Sequence, residues 1–430
     1  MTKPDSFTQQ VTAIWRMESA SIIAAVTRRV RDLAVAEEIA QEVLMTALEK
    51  WPQDGFPDRP GAWLMTTAIN RAIDHLRHLQ MMQRHHESMA ADLEAAGAHL
   101  VPDFTDSLDD ARLHAEINDD LLRLIFIACH PLLPPASRVA LTLRLLGGLS
   151  TQEIARAFLS KESTIAQRIV RAKRTLSEAS VPFEVPGEAD RANRLASVME
   201  VIYLIFNEGY TATDGGDWMR PALCDEAMRL ARMLTHLAPK EPEVLGLQSL
   251  LEIQASRLAA RHDEKGQPVL LMDQDRSQWD PLLIESGLSA LKRAQAVSKR
   301  TAGGYQLQAA IAACHARAPS ASETDWQRIA TLYGELAQCM PSPVVELNRA
   351  VAVGKADGPE AALPIVEALL DQHQLQHYPW LPAVHGDLLE QMSRHIAAAD
   401  AYERAASLTQ NQQEQRMMLE RAHRNRSRND

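Results

Sequence analysis

Residues 138–176 read RVALTLRLLGGLSTQEIARAFLSKESTIAQRIVRAKRTL, and this stretch decides the fold. Val139, Leu141, Leu143 and the pair Leu145–Leu146 belong to a first helix. It stops at Gly147-Gly148, because glycine tolerates the left-handed turn that a helix end requires. Ser150 then stands as an N-cap with Glu153 three residues on, the spacing of a capping box. Ile154, Ala155 and Phe158 form the buried stripe of a second helix, with Ala155 small where two helices come into close contact. After a turn at Leu159–Lys161 a third helix begins. Its core face is Ile165, Ile169 and Leu176, with Val170 and Ala172 beside them. Gln167, Arg168, Arg171, Lys173 and Arg174 project away from that face, and between Arg156 and Arg174 six basic residues meet one acid, Glu162. The pattern is a helix-turn-helix whose third helix suits DNA: its N-terminal part enters a major groove and its later Arg and Lys residues meet phosphates.

The bulk charge points the other way. The 430-residue chain carries a formal net charge of −11, and a free acidic protein is repelled by a phosphate backbone. Either the basic charge is concentrated locally or DNA is reached only with a partner, and both readings fit. Low Gly against many Ala and Leu predicts an all-α chain, and 46% hydrophobic residues suffice for two to four globular units. The N-terminus MTKPDSFTQQVTAIW lacks a signal-peptide layout and no apolar run spans a bilayer, so a cytoplasmic protein without membrane partners is expected. Cys129, Cys224, Cys314 and Cys339 lie far apart with no CxxC pair, which predicts buried thiols and no metal or other cofactor.

Working outward, the sequence divides into four. Residues 10–86 read as amphipathic helices broken by a loop from Trp51 to Pro60; residues 87–120 are an acidic linker; residues 121–180 hold the helix-turn-helix; residues 190–430 are a long helical region. In AVAEEIAQEVLMTALEKW (34–51), Ile39, Val43, Ala47 and Trp51 make a core stripe at spacings of four, while Glu37, Glu38, Gln41, Glu42 and Glu49 take the remaining surface. In RPGAWLMTTAINRAIDHLRHLQ (59–80), Trp63, Ile69, Ile73 and Leu76 are expected inside, leaving Asn70, Arg71, Asp74, Arg77 and His78 as a polar rack suited to nucleic acid.

These motifs, in this order and at this separation, resemble the two-domain core of extracytoplasmic-function sigma factors over residues 10–180. VMEVIYLIFNEGYTAT (198–213), LLMDQDRSQWD (270–280), GGYQLQAAIAACHA (303–316) and SPVVELNRAVAV (342–353) are similar to the subgroup with a long C-terminal TPR-like extension. The resemblance implies an alternative sigma factor and not an enzyme. Under it, Glu37, Glu38, Gln41 and Glu42 grip the β′ clamp helices of core RNA polymerase. Asn70, Arg71, Asp74 and Arg77 engage the −10 element, and Phe56 helps capture a flipped base. The helix opening at Ser163 and Thr164, with Gln167, Arg168, Arg171, Lys173 and Arg174, reads the −35 element of promoter DNA. The linker passes through the RNA exit channel; members of the subgroup are often associated with small DGPF/YCII-type proteins, and the extension is a place for a small regulatory protein. The sequence Ser163-Thr164-Ile165-Ala166-Gln167 departs from the Gly-Thr-Val opening frequent in the family, so promoter preference does not carry over.

The extension reads as helical hairpins. HGDLLEQMSRHIAAADAYERA (385–405) sets Gly386, Leu389, Ala398, Tyr402 and Ala405 at the small and large positions of a TPR repeat, and residues 344–369 and 241–261 are looser copies. The carboxylates of NEGY (207–210) and DQDRSQWD (273–280) invite a catalytic reading, but no nucleophile, base and orienting group assemble from them. A helix end and a polar turn explain them as well. The competing functional reading is a stand-alone helix-turn-helix regulator with a TPR-like sensor domain, which the acidic total charge disfavours.

Overall fold

The computed structural model describes residues 6–90, 110–158, 160–210, 219–263, 269–298, 301–371, 375–409 and 412–428. Among them the regular elements are α-helices with three short 3₁₀ turns, and the chain divides into two compact units, Met1–Leu237 and Ala238–Asp430. No helix of the described residues is long and apolar enough to cross a membrane.

The first unit begins with α1 (Ser6–Val30), α2 (Leu33–Asp54) and α3 (Pro60–Ala90), packed on one another. Asp32 caps α2, accepting from the amides of Ala34 and Val35, which satisfies donors the first turn leaves open. The stripe Ile39, Val43, Ala47 and Trp51 is buried as the four-residue spacing predicts. On α3 the expected stripe is off by one step. Trp63, Ile69, Ile73 and Leu76 are only half-buried, and the closed side is Leu64, Ala68 and Ala72. This helix lies against both α1 and α2, so small side chains face the contact and larger ones flank it.

α4 (Asp110–Ala128) follows. The acidic stretch is thus not linker throughout: α3 runs to Ala90 and α4 starts at Asp110, while residues 91–109 lie outside the described residues. Asp120, at the end of that stretch, is buried and paired with Arg28 at 3.3 Å and Arg123 at 2.6 Å. The helix-turn-helix is α5 (Pro135–Leu145), α6 (Thr151–Ala157) and α7 (Glu162–Glu178).

α8 (Glu188–Tyr210) and α9 (Pro221–Leu237) fold onto α4 and α5. The buried Arg138 of α5 donates to Ser197 Oγ at 2.6 Å and Glu200 at 2.9 Å; Ser197 in turn donates to the Cys129 carbonyl, and Arg194 to that of Phe126. The compact units therefore divide at Leu237, although composition changes near residue 187. The NEGY segment is part of this packing. Glu208 pairs with Arg220, and Gly209 is required because a Cβ there would sit 2.8 Å from the Cys224 amide.

The second unit runs α10 (Pro242–Ala255), α11 (Pro281–Val297), α12 (Gly304–Arg317), α13 (Trp326–Cys339), α14 (Pro343–Asp357), α15 (Pro359–Leu370), α16 (Trp380–Gln391), α17 (His395–Leu408) and α18 (Gln412–Ser427). α10 takes both α11 and α12 against it, and from α13 on each helix packs chiefly on its neighbours in sequence, as stacked hairpins do. Gly386 lets α16 approach Tyr402 of α17, whose ring would lie 3.1 Å from an added Cβ. DQDRSQWD is a structural staple. Asp275 caps the 3₁₀ turn Arg276–Gln278, Asp280 caps α11, and Arg276 donates to the carbonyls of His315 and Ala318 where α12 ends. Trp279 is buried against the guanidinium groups of Arg257 and Arg276. Of the cysteines, Cys129, Cys224 and Cys314 are buried as expected, but Cys339 is exposed. Burial pushes the Cys129 thiol up to about 12.

Candidate nucleic-acid interface

The turn between α5 and α6 is built by three separate parts of the first unit. Gly148 adopts φ +63°, the left-handed region that favours glycine. A side chain there would also meet Ser19 of α1 at 2.9 Å, and one on Gly147 would meet the Leu143 carbonyl at 2.6 Å and Glu226 of α9 at 3.0 Å. Arg229 of α9 donates to the Leu146 carbonyl, one of the acceptors a helix end leaves open. Burial lifts the Glu226 carboxyl above its ordinary value even with Arg229 beside it. The two glycines thus serve a close three-way contact as well as a turn. The capping box of α6 is complete: Ser150 Oγ accepts from the Glu153 amide at 3.1 Å and Glu153 accepts from the Ser150 amide at 2.8 Å.

α7 buries Ile165, Ile169, Ala172 and Leu176. Ser163, Gln167 and Arg171 are exposed on the opposite side, with Thr164 and Arg168 half-buried at its edges. Arg174 is exposed and bound to Glu178 at 2.6 Å. Val170, which the pattern puts beside the core, is instead 64% exposed among the outward polar residues. It adds an apolar spot suited to a thymine methyl group, and the one signal for it is its position three residues after Gln167.

Lys173 does not join the outward face. It pairs with Glu37 of α2, which also accepts from Arg144 Nε of α5 at 2.6 Å and from Gln41 at 3.0 Å. Glu37 is 6% exposed, so it is absent from the solvent face expected for it. Burial pushes its carboxyl up, but Lys173 and Arg144 outweigh burial and hold it below the ordinary value. The physical reason is position: Glu37 borders the buried Ala36 and Ala40, and once that side is closed only paired charges keep a carboxylate there. Glu38, Gln41 and Glu42 do stay exposed on α2.

On α3, Asn70, Asp74 and Arg77 are exposed, with Asp74 and Arg77 3.5 Å apart. Arg71 is turned toward α2, where it binds Glu42 and donates to Thr46 Oγ1 at 2.7 Å. Phe56 is 39% exposed, its ring 5.3 Å from those of Trp51 and Phe7. A cleft of about 240 Å³ lies between the two helical groups, lined by Trp15, Arg16, Ser19, Glu37, Arg144 and Glu153 among others.

Three family models match parts of the chain. Residues 15–81 match the family model "Sigma-70 region 2", residues 123–176 match "Sigma-70, region 4", and residues 194–295 match "Family of unknown function (DUF6596)". The chain is 44% identical to "Uncharacterized protein R00370" of Rhizobium meliloti (strain 1021), over 91% of this chain and 90% of that protein. It is 30% identical to the "RNA polymerase sigma-H factor" of Pseudomonas aeruginosa, over 38% of this chain and 81% of that protein. It is also 30% identical to the "ECF RNA polymerase sigma factor SigK" of Mycobacterium ulcerans (strain Agy99), over 36% of this chain and 77% of that protein.

Proposed function

This chain belongs to the extracytoplasmic-function family of RNA polymerase sigma factors, and on that premise we propose how its parts divide the work of promoter selection. Region 2, α1 to α3, docks on core polymerase through Glu38, Gln41 and Glu42 and on the −10 element through Asn70, Asp74, Arg77 and the half-engaged Arg71. Phe56, on the rim of an aromatic cluster, offers a stacking surface for an unpaired base. Region 4 reads the −35 element through Ser163, Thr164, Gln167 and Val170, with Arg168, Arg171 and Arg174 on phosphates. The observation that carries this reading is that two polar helix faces stand exposed on the two matched domains, one around Asn70 and one around Gln167.

The acidic total charge fits a factor that meets DNA only as part of a larger complex, working where the polymerase works, in the cytoplasm. The second unit is assigned a regulatory role, in which its stacked hairpins hold a small partner protein. Run-off transcription from a cognate promoter by core polymerase plus this protein is the expected result, and no complex with core would overturn the reading. Arg171→Ala should weaken promoter binding on all sequences and flatten its salt dependence by about one unit, whereas Gln167→Ala should relax selectivity at one position. For the second unit, affinity capture of the full-length protein from its host cells should return one small protein that a truncation after Leu237 no longer retains.

A further inference from the structure

Two motifs of the second unit, LLMDQDRSQWD (270–280) and GGYQLQAAIAACHA (303–316), are left unused by the promoter reading, and the fold brings their Arg276, Trp279 and His315 together. The Arg276 guanidinium stands over the Trp279 ring, 4.9 Å from its centre. It donates to the His315 carbonyl at 2.6 Å, to the Ala318 carbonyl, and to Thr324 Oγ1 at 3.1 Å. Arg257 lies over the same indole at 5.8 Å. The His315 ring meets Trp326 of α13 edge-on, 5.3 Å between centres. The corner therefore closes between the 3₁₀ turn Arg276–Gln278, the end of α12 and the start of α13.

Its charge does not balance. Every hydrogen-bond partner of Arg276 is a neutral oxygen, and among the described residues no carboxylate forms an ion pair with it. The open carbonyls of a helix end return about half a unit of negative charge against one full positive charge. The carboxylates of the surrounding turns are engaged elsewhere. Asp275 accepts from the Ser277 amide, Asp280 caps α11, and the exposed Glu323 accepts from Ser320 at 2.6 Å. Burial and the charge of Arg257 hold the Arg276 guanidinium below its ordinary pKa; burial, Arg257 and Arg276 together lower that of His315 to about 4. A half-buried cation with only neutral partners is costly unless a counter-ion joins it.

The polar atoms left over at this corner are donors. Arg276 Nε, Trp279 Nε1 and His315 Nδ1 are buried without a hydrogen-bond partner among the described residues, Trp279 being 5% and His315 8% exposed. A guanidinium and an indole N–H can only donate, and an imidazolium donates from Nδ1. Three donors on three side chains, beside two guanidinium groups, call for one compact acceptor of negative charge. We propose that this corner binds a tetrahedral oxyanion, phosphate or a phosphate ester, held by Arg276, Trp279 and His315 under the added charge of Arg257. A tetrahedral group offers acceptor oxygens in several directions at once, whereas a carboxylate confines its two to one plane. Burial strengthens such charge-assisted bonds, because little water competes for them. The proposal stands on the second unit alone and gives that unit a small-molecule input, whatever protein it holds.

The test uses the full-length protein with ¹⁵N-labelled tryptophan, in which each indole N–H gives one NMR signal. The Trp279 signal is the one missing from Trp279→Phe, a variant that keeps an aromatic ring beside both guanidinium groups. Inorganic phosphate should move that signal to a saturating value, while acetate, or potassium chloride at matched ionic strength, leaves it in place. Affinity for phosphate, read from ³¹P relaxation, should fall about tenfold in Trp279→Phe, which loses one charge-assisted bond. His315→Leu, a second variant at a different element, should show a similar loss. Tighter binding of inorganic phosphate than of glycerol phosphate supports the free ion as the ligand, and the reverse supports an ester. No indole signal that moves, equal movement with acetate or chloride, or full phosphate affinity in both variants would each overturn the site.

Discussion

The two compact units hold their helices by different means. In the second, contacts run between helices close in sequence and the inner surfaces are apolar, as in the cluster of Leu363, Leu389, Ala398, Ala399, Tyr402 and Ala422. In the first, decisive contacts join helices far apart in sequence and many are polar: Glu37 to Lys173, Arg138 to Ser197 and Glu200, Arg229 to Leu146. The difference teaches what each is for. Apolar stacking of neighbours gives a scaffold that stays put, because parting it exposes surface to water. Ionic ties between distant helices cost little to exchange, because each partner is as well served by another charge.

The sharpest way to break the comparison is at Tyr402, which is 1% exposed and packs beneath Gly386. Tyr402→Ala should destabilise its surroundings by about 3–5 kcal/mol. Hydrogen exchange should then accelerate in α16, α17 and α18 and remain unchanged in α5 to α7; a spread into α5 to α7 would contradict independent units. Next comes His315 on α12. Burial first, then Arg257 and Arg276, lowers its pKa to about 4 from 6.5. The folded protein then binds fewer protons than the unfolded chain between those values. The His315 contribution is thus complete above about pH 6.5 and lost as pH falls toward 4, up to about 3 kcal/mol. Acid titration of α12 exchange should show this loss, and His315→Gln should remove that share of it.

A smaller effect is expected at Arg138. Arg138→Ala should cost about 2 kcal/mol by stripping a charged donor from Ser197 and Glu200. If the polar ties of the first unit carry its assembly, exchange should rise in α5 and α8 together; a rise in α5 alone would show that α8 is held by its apolar face. The mildest change is Ser150→Ala, about 1 kcal/mol, confined to α6. It sharpens the contrast because the box closes between residues three apart, so its loss should leave exchange in α5 and α8 unchanged.

The same contrast explains what could be read from the sequence. The capping box, the Gly147-Gly148 stop, the α2 stripe and the buried side of α7 are local, encoded in spacings of three and four residues, and each is found where the pattern puts it. Glu37 could not be placed that way, since nothing in AEEIAQE names a partner 136 residues on. Nor could the closed side of α3, where alanines face two helices at once and a hydrophobicity pattern favours the larger residues beside them. Val170 was misplaced for the opposite reason: an apolar residue next to a core stripe reads as core unless something outside the chain needs it.

The turn at Gly147-Gly148, pressed by Ser19 from one side and by Glu226 and Arg229 from the other, bears on how freely this reading domain can be transplanted. A chimera that exchanges residues 121–180 alone would strand Arg138 without Ser197 and Glu200, and Arg229 without the Leu146 carbonyl. A cassette that keeps these contacts reaches to Leu237, so the helix-turn-helix and the first two helices of the extension should be moved as one piece.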